Sequence, residues 1–574
     1  MAFPVNQHIS ELAEIIFQKG IRYAVISPGS RNAPLITSFL NQKKIKCLSI
    51  VDERSAAFFA LGIARQQGKP VALICTSGTA VLNYAPALAE AYYQQVPLLV
   101  LTADRPVEWI DQQDNQTLRQ QAIYTNFIKQ SFQLPQEVHS ETDVWYSQRQ
   151  ISEAVNRAGT FPEGPVHVNI PLKEPLYSRE MAENSQPKII NVIDRDISLN
   201  ETDLKEIAGK WNNSACKLII CGQQNKNEEL NHLLSRLAED SSVTVIAENL
   251  SNLYSERFID CPDKILTGAS QEDMSALAPD ILISFGGPVV SKRLKLFLRN
   301  HKPQEHWLVD LSARHTDTYQ SLTHILPVQP LKFFRQLTSL HKVTPVATYQ
   351  SEWRSLIKKV ELNHDRFFAD IPFSDLQAFQ ILLEKIPGHS VLQLGNSSPV
   401  RYAQFFKSIN SLSYYSNRGT SGIDGCLSTA AGSAYFNNKT LTTVILGDLS
   451  FAYDSNALWN KNLTGNLRIV VLNNGGGGIF RLIEGPLGNK GFEEFFETRH
   501  PVNIELLTRA FDLSYYYCDN AENLNSILDK FYDPKQKAAV LEIKTPQKEN
   551  ADIYKKYLNF IKKRDGTEKE MGNH

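Results

Sequence analysis

The sequence predicts an α/β protein built from three doubly wound, parallel-sheet domains in series. Short β-branched apolar runs alternate with helical patterns along the chain. The runs are continuously apolar, as strands covered on both faces require, and each ends in a polar or glycine-containing turn. At 574 residues the chain also exceeds one core, since single cores stop growing at roughly 250–300 residues.

The first block, residues 1–178, opens with Ile9, Leu12, Ile15 and Ile16 at helical spacing beside Glu11 and Glu14. That pattern suits an amphipathic surface helix and not the uncharged core of a signal peptide. Strand candidates follow at Tyr23–Ser27, Cys47–Val51, Val71–Cys75, Leu98–Thr102 and Val166–Ile170. Leu176–Lys188, polar and poor in large apolar residues, reads as a linker. The second block, residues 190–335, has strands at Lys217–Cys221, Val243–Ala247, Asp280–Phe285 and His306–Leu311. A mixed, charged stretch, Leu331–Asp375, connects helically to the third block, residues 375–561, with strands at Val391–Gly395, Thr443–Gly447, Leu467–Leu472 and Ala538–Ile543. Residues 562–574 form a polar tail expected to fray.

Composition excludes several classes of function. Sixty Lys and Arg against 61 Asp and Glu leave a net charge of −1, which argues against nucleic acid or a polybasic membrane surface as the default partner. Seven scattered cysteines with no C-x-x-C pair point to buried thiols in a reducing compartment. The longest apolar run, about Val96–Leu101, is far short of the roughly 18 residues a membrane span needs. A cytoplasmic location is expected.

In open α/β sheets ligands bind beyond the carboxyl ends of strands. Two such turns stand out: Gly447-Asp448-Leu449-Ser450, and Asn473-Asn474 followed by glycines 475–478. Asp448 and Asn474 lie 26 positions apart, enough for a helix, Phe451–Asn460, and a return strand. One carboxylate and one amide oxygen, with a glycine carbonyl and waters, make the all-oxygen set Mg²⁺ takes when phosphates match most of its charge. The glycines let backbone approach a diphosphate. Either half alone reads more simply as a helix cap or a tight turn; the two at this spacing favour the metal.

The pair resembles the GDG…NN signature of thiamine diphosphate enzymes, and the resemblance extends over nearly the whole chain, whose blocks would be the pyrimidine-binding, central and diphosphate-binding domains. It implies thiamine diphosphate with Mg²⁺ or Mn²⁺, the metal on Asp448, Asn474 and a loop carbonyl, for which Gly476 is chosen. Leu449 departs from the usual Gly. Such enzymes need a glutamate that protonates the cofactor's pyrimidine ring. Glu53 follows the strand Cys47–Ile50 and precedes Ser55–Arg65, a helix apolar on nearly every side and so buried; in these enzymes that place is the subunit interface. A dry cleft would raise its pKa. Read alone, Glu53 is more simply a surface residue at a helix N-terminus, where the macrodipole favours it; the metal motif turns the reading to the catalytic role.

Further motifs select a branch: Ser27-Pro28-Gly29-Ser30-Arg31-Asn32-Ala33-Pro34, Thr76-Ser77-Gly78-Thr79-Ala80, Thr102-Ala103-Asp104-Arg105-Pro106 with Asp114-Asn115-Gln116, Ser416-Asn417-Arg418-Gly419 and Gly422-Ile423-Asp424-Gly425. They closely resemble the 2-succinyl-5-enolpyruvyl-6-hydroxy-3-cyclohexene-1-carboxylate synthase family of menaquinone biosynthesis, which also has GDLS-like metal loops. The resemblance implies a carboligase, a transferase that decarboxylates 2-oxoglutarate and adds the resulting carbanion to isochorismate. Ser30, Arg31, Arg105, Gln116, Lys292 and Arg293 would face isochorismate. Ser397, Arg401 and Arg418 would face 2-oxoglutarate, with Ile479 and Phe480 beside the reacting ring. Ser77, Gly395, Ser397, Ile423, Leu449, Ser450, Asn474, Gly476 and Ile479 would join Glu53 around the cofactor, and Glu53 and Gln116 would be catalytic. A homodimer or dimer of dimers would carry its sites between subunits.

The cations make chemical sense of this. Arg31, Arg105, Arg401, Arg418 and the pair Lys292-Arg293 all fall in or just after turns at strand ends, and substrates with four carboxylates between them need such groups. An acetolactate-type synthase or simple decarboxylase needs fewer cations, and a silent scaffold needs none of Glu53, Asp448 and Asn474. Phe285-Gly286-Gly287-Pro288 lacks a phosphate-binding fingerprint and reads as a tight turn.

Overall fold

A computed structural model describes residues 7–177, 186–193, 196–345, 347–482 and 488–563. Most of the expected linker and nearly all of the tail lie outside the described residues.

The strands are β1 (Tyr23–Ile26), β2 (Lys46–Ser49), β3 (Val71–Cys75), β4 (Leu98–Asp104), β5 (Ser131–Gln133) and β6 (Val166–Pro171) in the first block; β7 (Lys217–Cys221), β8 (Val243–Ala247), β9 (Ile281–Phe285), β10 (Glu305–Val309) and β11 (His324–Leu326) in the second; and β12 (Val391–Leu394), β13 (Ser413–Ser416), β14 (Thr442–Gly447), β15 (Leu467–Asn473), β16 (Ser514–Cys518) and β17 (Ala539–Lys544) in the third. They form three sheets, β2-β1-β3-β4-β6-β5, β11-β10-β9-β7-β8 and β13-β12-β14-β15-β17-β16. The strand pairs within them are parallel, for example Val444 opposite Ile469 and Val100 opposite His167. The first and third sheets share one order, two copies of the same winding. The central strands β3, β4, β7 and β9, and the edge strand β8, are buried along their length, which is why they read as apolar runs.

The Gln7–Gln18 helix buries Ile9, Leu12, Ile15 and Ile16. Leu331–Asp375 is helical as expected, over Pro330–Leu340 and Tyr349–Phe368. The helix expected over Phe451–Asn460 instead starts at Asp448 and ends at Tyr453, followed by a short 3-10 turn, Ser455–Ala457. All seven cysteines are free thiols and five are buried.

The first and third domains share one hydrophobic core, running from Val25 through Phe59 and Leu427 to Val540. Its centre is the crossing of the Glu53–Gln67 helix with the Cys426–Phe436 helix. A Cβ on Gly62 would lie 2.2 Å from the Thr429 carbonyl oxygen, and one on Gly432 2.0 Å from that of Phe59, so both must be glycine. The sequence reading assigned the burial of this helix to a subunit interface. In the structure Ser55–Arg65 is fully buried within one chain, because the third domain covers it.

Candidate active site

β14 delivers Asp448 and β15 delivers Asn473-Asn474 to the same edge of the third sheet, since the strands are adjacent and parallel with Gly447 opposite Leu472. The Asp448 side chain is buried and held by three backbone donors: Leu449 N at 2.7 Å, Gly475 N at 2.8 Å and Gly476 N at 2.9 Å. Gly475 and Gly476 have φ of 84° and 148°, values that favour glycine, and a Cβ on Gly476 would sit 2.5 Å from the Glu497 carbonyl oxygen. The loop therefore folds back on the carboxylate as a bare backbone cradle.

The two asparagines differ. Asn473 is structural: its Nδ2 donates to Glu542 Oε1 at 2.6 Å and its Oδ1 accepts from Lys544 Nζ at 3.2 Å. Asn474 donates Nδ2 to Asp375 Oδ2 at 3.0 Å, and its Oδ1 is buried with no partner. A buried acceptor without a donor awaits one, or a cation. Gly476 O accepts from Gly478 N at 2.9 Å, leaving one lone pair open. Among the described residues no cluster of three or more His, Cys, Asp and Glu could hold a metal by itself. Asp448, the orphaned Asn474 oxygen and the glycine backbone thus fit a hard divalent cation whose remaining ligands come with a diphosphate.

A cavity of about 190 Å³ opens on this edge, lined by Ser397, Ile423, Leu449, Ser450, Gly476, Ile479 and Phe480 with Asp448 and Asn474. Ser450 Oγ donates to the Ile423 carbonyl at 2.8 Å, tying one wall to the next. Ser397 has φ of 74°, a strained conformation for a serine. Gly395 does not line the cavity; it lies beneath, where a Cβ would come within 2.8 Å of the Ile445 carbonyl oxygen. Arg401 is exposed and donates to the Ser397 carbonyl at 2.7 Å. Arg418 donates Nη1 to the cavity residue Asn396 at 2.8 Å, and its buried Nε has no partner.

The first-domain residues form a second cluster. Arg31 is buried, donating to the Leu172 carbonyl at 3.1 Å and to Glu174 at 3.3 Å. Burial and then the neighbouring Arg105 disfavour its charged form, and Glu174 offsets them. Arg105 pairs with Asp114 at 2.8 Å and donates to the Asn115 carbonyl at 2.9 Å. Gln116 is exposed with φ of 56°, and its Cα lies 3.5 Å from where a Cβ on Gly78 would be. Ser30 is exposed, whereas Ser77 is buried with an unpartnered hydroxyl. Glu53, the first residue of its helix, is half-buried, and burial raises its carboxyl pKa; Asp52 pushes the same way and a hydrogen bond from Asn83 opposes it. None of these residues lines the third-domain cavity.

In the central domain Lys292 is exposed, and Arg293 is half-buried and donates to Thr267. The loop before them is gripped by buried Glu248, which accepts from Val290 N and Ser291 N, each at 2.7 Å. Gly286, with φ of 82°, makes the tight turn expected of its motif and helps line a separate cleft of about 290 Å³ against the first domain.

Sequence reading missed Asp375, Asn396 and His500. Asp375, fully buried and aimed at Asn474, is visible in sequence only as the start of a helix after Ser374. His500 Nε2 lies 3.3 Å from Asp448 Oδ2, which raises its pKa; the two residues are 52 positions apart and nothing in the sequence between them signals the contact. No described helix is long and apolar enough to cross a membrane.

Comparison with known proteins accords with this geometry. Residues 10–123 match the N-terminal TPP-binding domain of thiamine pyrophosphate enzymes, residues 196–386 their middle domain and residues 395–543 their C-terminal TPP-binding domain. A protein of Desulfotalea psychrophila is 44% identical over 94% of this chain and 98% of its own length, and one of Flavobacterium psychrophilum is 42% identical over 98% and 100%. A third, from Porphyromonas gingivalis, is 39% identical over 96% and 97%. All three are named 2-succinyl-5-enolpyruvyl-6-hydroxy-3-cyclohexene-1-carboxylate synthase. With this identity over nearly its full length, and with all three domains of the cofactor's enzymes in order, the chain belongs to the 2-succinyl-5-enolpyruvyl-6-hydroxy-3-cyclohexene-1-carboxylate synthase family of thiamine pyrophosphate enzymes.

Proposed function

We propose that the chain is a carboligase that decarboxylates 2-oxoglutarate and adds the remaining four-carbon unit to isochorismate by conjugate addition, releasing CO₂. The observation that carries the reading is the buried, unpartnered Asn474 Oδ1 beside Asp448 at the mouth of a glycine-walled cavity. Asp448, Asn474 and the Gly476 carbonyl would hold Mg²⁺ or Mn²⁺ and through it the diphosphate. Bound thiamine diphosphate supplies the carbon nucleophile and the electron sink for decarboxylation.

The chain's own residues do the rest. Glu53 holds a proton on its carboxyl, which burial favours, and shares it with a ring nitrogen of the cofactor. Arg401 and Arg418 bind the carboxylates of 2-oxoglutarate beside Ser397. Ile423, Leu449, Ile479 and Phe480 keep the cavity apolar, which excludes water and strengthens every charge interaction inside it. Ser30, Arg31, Arg105, Lys292 and Arg293 bind isochorismate, and Gln116 assists proton movement at the acceptor. Ser77, Gly395 and Ser450 shape the cofactor site.

Glu53 and the metal loops come together when a second copy of the chain faces the first, as a homodimer or a dimer of dimers. What supports this is a cavity walled by the third domain alone, together with exposed Leu82 and Trp109 on the first domain and Tyr453 and Trp459 on the third. The seven free thiols favour action in the cytoplasm.

The test supplies purified protein with thiamine diphosphate, Mg²⁺, isochorismate and either 2-oxoglutarate or pyruvate, and follows CO₂ and product mass. CO₂ and an adduct from 2-oxoglutarate are expected. Turnover of pyruvate with no adduct from 2-oxoglutarate would overturn the reading.

A further inference from the structure

The segment Ser416–Thr420 carries Arg418 from the end of β13 toward the cavity, and residues of the other two domains grip it. Arg65 Nη1 and Gln223 Nε2 both donate to the Ser416 carbonyl, at 2.8 and 2.9 Å. The strongest grip is Glu90, on the first-domain helix Ala85–Gln94 and only 1% exposed. Its Oε1 accepts from Gly419 N at 2.7 Å; its Oε2 accepts from Thr420 N at 2.6 Å and from Thr420 Oγ1 at 2.7 Å. The approach is close enough that a Cβ on Gly419 would stand 2.5 Å from the Glu90 carbonyl oxygen. Three charge-assisted hydrogen bonds thus converge on the two residues that follow Arg418. Arg418 reaches the cavity residue Asn396 at 2.8 Å while its Nε stays buried and unpartnered.

We propose that Glu90 is a positioning residue for 2-oxoglutarate: by fixing the backbone at Gly419 and Thr420, a first-domain carboxylate sets the guanidinium of Arg418 in the third-domain site of the same chain. The proposal rests on the reading of Arg418 as a 2-oxoglutarate ligand. Its chemistry is specific. A carboxylate presents two acceptors to these three donors and to Gln94 Nε2, whereas the amide of a glutamine presents one acceptor and turns an NH₂ toward donors. Gly419 and Thr420 would then shift, and Arg418 with them. Ground-state binding of the carboxylate substrate should suffer, while Glu53 and the metal loops, which Glu90 does not touch, continue to work.

The test measures steady-state kinetics of Glu90→Gln, Thr420→Val and Arg418→Ala with saturating thiamine diphosphate and Mg²⁺. For Glu90→Gln the KM for 2-oxoglutarate should rise about tenfold, the size of about 1.4 kcal/mol of lost binding. kcat should stay within about threefold and the KM for isochorismate should not change. Thr420→Val, which removes only the hydroxyl donor, should raise the same KM by about threefold, and it carries the test if Glu90→Gln does not fold. A merely structural role would lower the active fraction, and so kcat, at unchanged KM. If Arg418→Ala raises the KM for 2-oxoglutarate but neither other variant does, the inference about Glu90 is overturned and the site reading stands. If Arg418→Ala leaves that KM unchanged, the reading of Arg418 fails and the inference with it.

Discussion

The Asn474 amide gives its NH₂ to Asp375 Oδ2 at 3.0 Å and thereby turns its Oδ1 into the cavity with no partner. Asp375 is itself fixed by Thr545 Oγ1 at 2.6 Å and Tyr402 OH at 3.3 Å, so one orientation of the Asn474 amide is imposed from behind. Burial raises the pKa of Asp375, and nearby Asp448 adds to the effect. A divalent cation beside these carboxylates would offset that strain.

Asp375→Ala should therefore weaken metal binding by about 10- to 100-fold, as loss of a group that orients a ligand does. Calorimetric titration of Mg²⁺ in the presence of thiamine diphosphate measures it; an unchanged affinity would remove Asp375 from the site.

Arg105 pairs with Asp114 and sits close to Arg31, in the cluster assigned to isochorismate. Arg105→Ala should lower kcat/KM for isochorismate by an order of magnitude or more, as loss of a charge-assisted contact of about 1.5–3 kcal/mol implies. Release of CO₂ from 2-oxoglutarate alone should change little. Equal loss of both would mark Arg105 as structural.

The crossing of the Glu53–Gln67 and Cys426–Phe436 helices has no room for a methyl group. Gly432→Ala, whose Cβ would meet the Phe59 carbonyl at 2.0 Å, should cost about 1–3 kcal/mol or more and lower the thermal midpoint. Gly209→Ala, on the exposed face of the helix Glu201–Asn213 with nothing within 4 Å, should instead stabilise by up to about 1 kcal/mol. Similar midpoints for the two would contradict the packing described.

Asp454 lies fully buried at that same junction, accepting from Ser428 N at 2.7 Å and Ser428 Oγ at 2.6 Å, and burial raises its pKa from 3.8 to about 7. The folded state therefore holds a proton that the unfolded chain has released. Its contribution to stability is full below pH 3.8 and is lost as pH rises to about 7. Asp454→Asn removes this dependence, so its thermal midpoint relative to the parent protein should be more favourable at pH 8 than at pH 5. A difference that does not vary with pH would show that Asp454 does not titrate in that range.

How much could be read in advance follows from burial. Strands buried along their whole length, such as central β3 and β7 and the edge strand β8, match their apolar runs residue for residue, because both faces are covered. β5, β11, β13 and β16 escaped notice, and all four are sheet edges, short or partly exposed, with Ser131–Gln133 and Ser514–Cys518 too polar to form a run. In the site, Asp448 and Asn474 were legible because chemistry dictates both residue type and strand-end position. Asp375, His500 and Glu90 were not: each reaches its partner across the fold, and sequence marks Asp375 only as a helix start, Glu90 only as a residue inside a helix and His500 only as a loop residue. The Glu53–Gln67 helix shows the same limit, since its apolar pattern announces burial but not which surface covers it.

The most direct test of the account is the turnover of 2-oxoglutarate labelled at its departing carboxyl carbon, in the parent protein and in Glu53→Gln, at saturating thiamine diphosphate, Mg²⁺ and isochorismate. The parent protein should release one labelled CO₂ for each adduct formed, and Glu53→Gln should lower kcat by about 10²–10⁴-fold, the worth of a positioned proton-transfer group. A Glu53→Gln variant that formed adduct at the parent rate would contradict the account at its centre.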